Sequence, residues 1–272
     1  MKEYTAASLF VREWGSDDAP AVLYWDGLGG CGLHANEIAP ILVEEHGLRV
    51  IAPDAPGHGR SPSFPADAHL PSRLAELAVA LLSELGVERL VFVGFSWGAQ
   101  VGCYFAARFP ERASALVLVD GGYFRPPEPG TLEACIEQAR REVEEESFET
   151  WDAYFAFERE SLRRWTPAVE EAHRAVMREK DGRVIPILDA EGLGAIMHGN
   201  RREPAPEAYP AIAAAGVPVL LVTYRVNAAV ERFRSALPEA RVELIEDGIH
   251  DLVSFAPTEV AELVGRFVQP PP

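Results

Sequence analysis

Two continuous apolar runs, LVFVGF at 90–95 and ALVLV at 115–119, constrain the fold of this chain more than any other feature. A strand that is apolar on both faces must be covered on both faces, which is typical of a parallel sheet between helices. A helical pattern over Ser72–Leu85 precedes the first run and ends before Gly86, where a helix C-terminal glycine belongs. This alternation of strand and helix predicts an α/β fold.

A long interruption separates the early strands from the late ones. From Arg125 to Ile212 no segment has a convincing strand pattern, and most of it has helical patterns broken by prolines and glycines. A gap of that length implies structure of its own. We therefore predict an α/β core, residues 1–124 and 213–272, with a helical cap over residues 125–212. The other predicted strands are Leu9–Trp14, Ala21–Trp25, Leu48–Ala52, Val217–Thr223 and Arg241–Ile245.

The charge balance of the chain restricts its partners. Of the 272 residues, 42 are Asp or Glu and 25 are Lys or Arg, which gives a net charge of −17. Nucleic acids and anionic membranes are bound by clustered basic residues, so we expect neither as a partner. Residues 128–160 hold 11 acidic and 3 basic side chains, and this excess predicts a solvated face of the cap.

Several classes of protein are disfavoured by what the sequence lacks. No apolar run reaches the roughly 20 residues of a membrane helix, and the N-terminus lacks the apolar core of a signal peptide, so a cytoplasmic location is expected. Three widely spaced cysteines without a Cys/His cluster disfavour a disulfide framework and a zinc site. Dinucleotide and nucleoside-triphosphate motifs are also absent, so we expect no cofactor and no metal.

The segment Gly94-Phe95-Ser96-Trp97-Gly98 carries the strongest chemical signal. It matches G-x-S-x-G, follows a predicted strand and precedes a helical pattern, which is the context of a nucleophilic serine on a sharp strand-to-helix turn. Such a turn places Ser96 at a helix N-terminus, where the helix dipole favours negative charge. The pattern indicates Ser96 as a nucleophile.

With this motif the sequence resembles the α/β-hydrolase superfamily over nearly its whole length. Three further segments match in order: the glycine loop Asp26–Gly30, the loop Asp54–Ser61, which is similar to the family's D-x-x-G-x-G-x-S, and Gly248–His250 near the C-terminus. The resemblance implies the α/β-hydrolase fold, with a mostly parallel central sheet, helices on both faces and a helical cap inserted after the sixth strand. It also implies a site at the carboxyl ends of the strands.

A serine hydroxyl needs a general base, and His250 is the best candidate among seven histidines. It follows the final strand in a turn, as the family's catalytic histidine does. His58 lies in a loop that is structural in the family, and we expect it to be non-catalytic. His198 could line a pocket from the cap. The remaining histidines are predicted to be surface or helix residues: His34, His46, His69 and His173.

The acid that orients the histidine is not at the family's usual position. Asn227 stands there, after the strand that follows the cap, and an amide cannot stabilise an imidazolium as a carboxylate does. Asp120 ends the preceding strand, where some members of the superfamily carry their acid, although a strand-end aspartate can also be a turn residue. We predict Asp120 as the acid. The alternatives are Asn227, as an orienting residue without charge, and another carboxylate such as Asp247.

Acyl transfer also requires two backbone N–H donors for the oxyanion. Trp97, the residue after the nucleophile, supplies one. By resemblance to the family's His-Gly-x loop, Leu28 supplies the other. Asp26 replaces the usual histidine of that loop, which changes the local hydrogen bonding and brings a carboxylate near the pocket.

Together these residues predict a serine hydrolase that cleaves a small carboxylic ester through an acyl-enzyme, as a monomer or homodimer acting on a small-molecule substrate. A thioester, a lactone or a C–C bond is the alternative for the same serine, because the fold does not fix the bond. A non-enzymatic small-molecule receptor is the alternative from another class.

Aromatic residues recur at roughly helical spacing in the cap. We expect core packing from most of them and a substrate-lining role from one or two. They are Trp151, Tyr154, Phe155, Phe157 and Trp165.

Overall fold

The computed structural model describes residues 1–126 and 130–268. Residues 127–129, inside the predicted cap, and residues 269–272, at the end of the predicted core, lie outside the described residues. The strands are β1 (Lys2–Ala6), β2 (Leu9–Trp14), β3 (Ala21–Trp25), β4 (Arg49–Pro53), β5 (Leu90–Phe95), β6 (Ala113–Val119), β7 (Met177–Lys180), β8 (Arg183–Pro186), β9 (Val219–Thr223) and β10 (Arg241–Leu244).

Helices connect the parallel strands of the large sheet. Among those in the described ranges, none combines the length and the apolar character that crossing a bilayer requires. Short 3-10 helices lie at Gly32–Asn36, Ala66–His69 and Ala205–Glu207. The α-helices are α1 (Ile38–Glu44), α2 (Pro71–Glu84), α3 (Trp97–Arg108), α4 (Leu132–Glu145), α5 (Trp151–Leu162), α6 (Pro167–Arg174), α7 (Ala190–Arg202), α8 (Tyr209–Ala215), α9 (Ala228–Ala236), α10 (Leu252–Phe255) and α11 (Pro257–Val268).

Eight strands form one sheet in the order β1-β2-β4-β3-β5-β6-β9-β10. β2 is antiparallel to both β1 and β4, and every other neighbouring pair is parallel. The predicted mostly parallel sheet is therefore confirmed. β1 was not predicted from the sequence, because it is a largely exposed edge strand with polar residues.

Helices cover both faces of the sheet, as the apolar strands require. Along β3, Leu23 and Trp25 pack into a core shared with α2 and α3. The alternating residues Val22 and Tyr24 pack into a second core shared with α1 and α11. Successive side chains of β3 thus enter two different cores. Because the strand is buried on both faces, its sequence is apolar without interruption.

The segment between β6 and β9 contains helices α4 to α8, but it also contains the antiparallel hairpin of β7 and β8. The expectation that this segment has no strand was wrong. Both strands have four residues, MREK and RVIP, and neither sequence alternates apolar with polar residues. The sequence signal for this hairpin is the pair Asp181-Gly182 between the two strands. Their φ angles of 52° and 76° form the tight turn that an Asp-Gly pair favours.

Polar contacts at two places hold this segment against the rest of the fold. Arg164 donates from Nη1 and Nη2 to the two carboxylate oxygens of Glu37, at 2.5 and 2.7 Å, in the bidentate geometry that gives the strongest ion pairs. At the other end, Glu203 accepts from the Ser72 hydroxyl at 2.8 Å, and its carbonyl accepts from the Gln100 amide at 2.7 Å. The segment is thus held on both sides of the carboxyl edge of the sheet.

Asn227 begins α9 as its N-cap residue. Its Oδ1 accepts hydrogen bonds from the backbone N–H groups of Ala229 and Val230, at 2.9 and 3.1 Å. Two of the unsatisfied donors at the start of the helix are satisfied in this way. The position that the family uses for its acid therefore has a structural function here.

Replacing this cap has a defined cost. We expect Asn227→Ala to lower the free energy of unfolding by about 1 kcal/mol, because it removes both acceptors. Asn227→Asp is the matched control and should change it little, since aspartate caps a helix equally well. Urea denaturation measures both. Unchanged stability of the alanine variant would contradict the capping function.

Candidate active site

Ser96 lies on a sharp turn between β5 and α3. Its φ of 50° and ψ of −110° are strained for a residue with a side chain, and its N–H donates to the Val119 carbonyl at 2.9 Å. The flanking glycines make the turn possible, since a Cβ on Gly98 would overlap the Trp25 carbonyl and one on Gly94 would overlap the Gly98 carbonyl. The G-x-S-x-G spacing follows from this close approach of helix to strand.

A continuous hydrogen-bonded relay runs from the serine through His250 to Asp120. Ser96 Oγ lies 2.9 Å from His250 Nε2, and His250 Nδ1 lies 2.6 Å from Asp120 Oδ2. The histidine side chain is 48% exposed, whereas the carboxylate is fully buried. The structure thus brings together these three residues, which come from three different loops of the sequence.

Two further side chains fix the Asp120 carboxylate. Its Oδ1 accepts from the Tyr123 hydroxyl at 2.5 Å and from Thr223 Oγ1 at 2.8 Å. Burial, and then the hydrogen bond to the carboxylate, raise the pKa of Tyr123, which therefore stays a donor. Neither Tyr123 nor Thr223 was predicted from the sequence. The signal for Thr223 was a polar residue ending the neighbouring apolar strand.

The alternatives for the acid lie elsewhere in the structure. Asn227 has its side-chain oxygen engaged by α9, and Asp247 lies in the turn after β10 with a φ of 57°. Asp120 also has a positive φ, 40°, at the end of β6. Asp120 is the carboxylate within hydrogen-bond distance of His250 Nδ1.

The two predicted oxyanion donors belong to segments that lie close to Ser96. Trp97 is the first residue of α3, so its N–H belongs to the unsatisfied donors of a helix N-terminus. Leu28 lies in the loop after β3, which passes close to the serine, since a Cβ on Gly27 would lie 3.4 Å from the Ser96 Cβ.

His58 supports this arrangement by packing against Trp97. Its ring stacks on the Trp97 indole with centroids 5.3 Å apart, and its Nδ1 donates to the Pro56 carbonyl at 3.0 Å. Burial lowers the pKa of His58 to about 4, so the ring is neutral at physiological pH. These contacts are those of a packing residue.

A cavity of about 380 Å³ opens over Ser96 and His250. Its apolar walls come from the segment between β6 and β9 and include Phe148, Tyr154, Phe157, Met177 and Pro186. Two of the five predicted cap aromatics thus line the cavity. The other three, Trp151, Phe155 and Trp165, pack among themselves and with Tyr154. His198 is not among the lining residues.

The other wall of the cavity is polar. His34 and His173, for which the sequence indicated no function beyond surface or helix positions, both line it, together with Asp26, Glu158 and Asp251. Burial raises the pKa of Glu158 to about 7. His34 comes from the 3-10 helix Gly32–Asn36 and His173 from α6, so their proximity follows from tertiary structure rather than from any local pattern.

Comparison with known proteins places the chain in a family. The family model described as alpha/beta hydrolase fold matches residues 20–161, just over half of the chain. The sn-1-specific diacylglycerol lipase of Mus musculus is 35% identical over 106 residues, or 39% of this chain and 34% of that protein. The bifunctional esterase/perhydrolase of Acinetobacter calcoaceticus is 33% identical over 105 residues, or 38% and 37%. The matches thus span little more than a third of either relative.

Similarity in structure extends further along the chain. The crystal structure of E-2-(acetamidomethylene)succinate hydrolase covers 96% of this chain and 94% of its own, with a TM-score of 0.77 and 22% identity. At that identity the likeness concerns the fold alone. The sheet order, the turn at Ser96 and the family match lead to one conclusion: the chain belongs to the α/β-hydrolase fold family.

Proposed function

We propose that this α/β-hydrolase is a serine hydrolase that cleaves a small carboxylic ester through an acyl-enzyme. The observation that carries the proposal is the relay of 2.9 and 2.6 Å from Ser96 through His250 to Asp120. The first distance allows His250 to take the proton of the Ser96 hydroxyl, and the second allows Asp120 to orient His250.

Each of these residues has a step in the proposed reaction. Ser96 Oγ attacks the ester carbonyl while His250 Nε2 takes its proton. Asp120 holds Nδ1 and stabilises the imidazolium that forms, and Tyr123 and Thr223 keep the carboxylate in place. His250 then protonates the leaving alcohol. Water, activated by the same histidine, releases the acid from Ser96.

Negative charge develops on the carbonyl oxygen in the tetrahedral intermediate. The N–H groups of Trp97 and Leu28 are the proposed donors, because backbone donors need no reorganisation during the reaction. Trp97 adds the N-terminal dipole of α3, which also favours an anion at this place.

The cavity indicates the size and charge of the substrate. A volume of about 380 Å³ accommodates a small ester rather than a polymer. Phe148, Phe157 and Met177 offer an apolar surface for the acyl or alcohol group, whereas the Asp251 carboxylate disfavours an anionic substrate. Neutral esters are therefore the proposed class.

Covalent labelling tests the nucleophile. We expect a fluorophosphonate probe to label the wild-type protein, since an activated serine attacks its phosphorus, and we expect Ser96→Ala to abolish labelling. Mass spectrometry of the labelled peptide identifies the residue. A folded wild-type protein that does not react would favour the receptor alternative and contradict the proposal.

Kinetics of acid variants test the relay. We expect Asp120→Asn to lower turnover of an aryl ester at least about 100-fold, because the amide favours the wrong tautomer of His250. The matched controls are Asp247→Asn and Asn227→Ala, which should retain the wild-type turnover at a temperature where both are folded. If Asp120→Asn stays near wild type, or if Asp247→Asn shows the loss instead, the assignment of Asp120 is wrong.

A further inference from the structure

One tight turn connects the nucleophile to a second histidine–carboxylate pair. The Gly30 N–H donates to the Gly27 carbonyl at 3.1 Å, which closes the turn over residues 27–30. At its first end, a Cβ on Gly27 would lie 3.4 Å from the Ser96 Cβ. At its other end, a Cβ on Gly30 would overlap the Asp26 carboxylate and lie 2.9 Å from His34 Nδ1. The turn that carries Leu28 therefore rests directly on Asp26 and His34.

The carboxylate of this pair is buried, and both of its oxygens are hydrogen-bonded. Asp26 is 5% exposed; its Oδ1 accepts from the Tyr24 hydroxyl at 2.7 Å, and its Oδ2 is hydrogen-bonded to His34 Nδ1. An isolated carboxylate in such a place would be costly, because burial removes its hydration. A protonated His34 compensates that charge.

The surroundings of His34 favour its protonation. Burial lowers its pKa, but the charge of Asp26 and the hydrogen bond to it, followed by the charges of Asp251 and Glu158, raise the pKa to about 9. From α6, the His173 ring packs edge-on at 5.3 Å. Burial and the charge of His34 lower the pKa of His173 to about 3, so that ring is neutral. His34 is thus an imidazolium at neutral pH.

The carboxylate of Asp26 poses a problem for the reaction proposed above. It directly precedes the loop of the Leu28 donor, and a negative charge there opposes the charge that develops on the oxyanion. An imidazolium bonded to it removes this repulsion and at the same time fixes the end of the turn.

We propose that His34 is a positioning residue for the oxyanion: through Asp26 and the turn 27–30 it sets the Leu28 N–H and cancels the carboxylate charge beside the site. The proposal rests on the serine hydrolase function argued above. It concerns the rate of acyl transfer rather than substrate affinity, because His34 acts on the transition-state charge.

The sign of the pH dependence follows from the protonation of His34. Its positive charge is present below about pH 9 and is lost as the pH rises through that value. We therefore expect kcat of the wild-type protein on an aryl ester to fall through this range. Burial raises the pKa values of Tyr24 and Cys31, which do not titrate there, and Glu158 titrates lower, at about 7.

Variants separate this function from a merely structural one. His34→Gln keeps a donor for Asp26 but has no charge, so we expect kcat at neutral pH to fall about tenfold, which is less than the loss of a direct oxyanion donor. We expect KM to change little. The fall of kcat near pH 9, here called the step, should be absent from this variant. Asp26→Asn should move the step to lower pH. The double variant carries neither charge and should recover part of the kcat lost in His34→Gln.

The matched control is His198→Gln on α7, outside the cavity, which should keep both the wild-type kcat and the step. The inference is overturned by a wild-type profile without a step near pH 9, by wild-type kcat in His34→Gln, or by a double variant no faster than His34→Gln. If the wild type reacts with fluorophosphonate and hydrolyses esters while one of these results is obtained, the inference alone fails. A wild type that does neither contradicts the proposed function and the inference with it.

Discussion

The parallel pairing of β3, β5 and β6 is the constraint on which the rest of the site depends. In this register Trp25 pairs with Gly94, and Phe95 pairs with Val119, so the three strands end side by side. The residues that follow them are Asp26, Ser96 and Asp120. Three polar side chains that are far apart in the sequence are thereby brought to one edge of the sheet by its backbone hydrogen bonds.

Burial of charge explains the network around this edge. Asp120 is fully inside the protein and accepts from a histidine, a tyrosine and a threonine, and Asp26 accepts from Tyr24 and His34. A buried carboxylate requires such partners. Each of the two carboxylates is thus bonded to one histidine, and both histidines line the same cavity. The relay through His250 reaches Ser96, whereas the pair with His34 supports the turn beside it.

Local sequence patterns predicted the parts of this structure that local physics determines. The apolar strands, the helix over α2 and the turn at Ser96 each follow from periodicity or from a short motif. Asp120 remained one of three candidates, because a strand end reveals a carboxylate but not the distance to an imidazole. The hairpin of β7 and β8 was missed because its strands have only four residues each and show no alternation of apolar and polar residues. The pairing of Asp26 with His34 depends on how the 3-10 helix packs under the loop, which no periodicity encodes.

The central claim is that Ser96 forms an acyl-enzyme, and rapid quenching during turnover tests it most directly. After mixing with an aryl ester, the protein is denatured in acid within the first turnovers and digested, and the peptide containing Ser96 is analysed by mass spectrometry. The account predicts the acyl group on Ser96, formed together with a burst of the released phenol. Product formation by the wild-type protein with the acyl group on another residue, or with neither an adduct on Ser96 nor a burst, would contradict it.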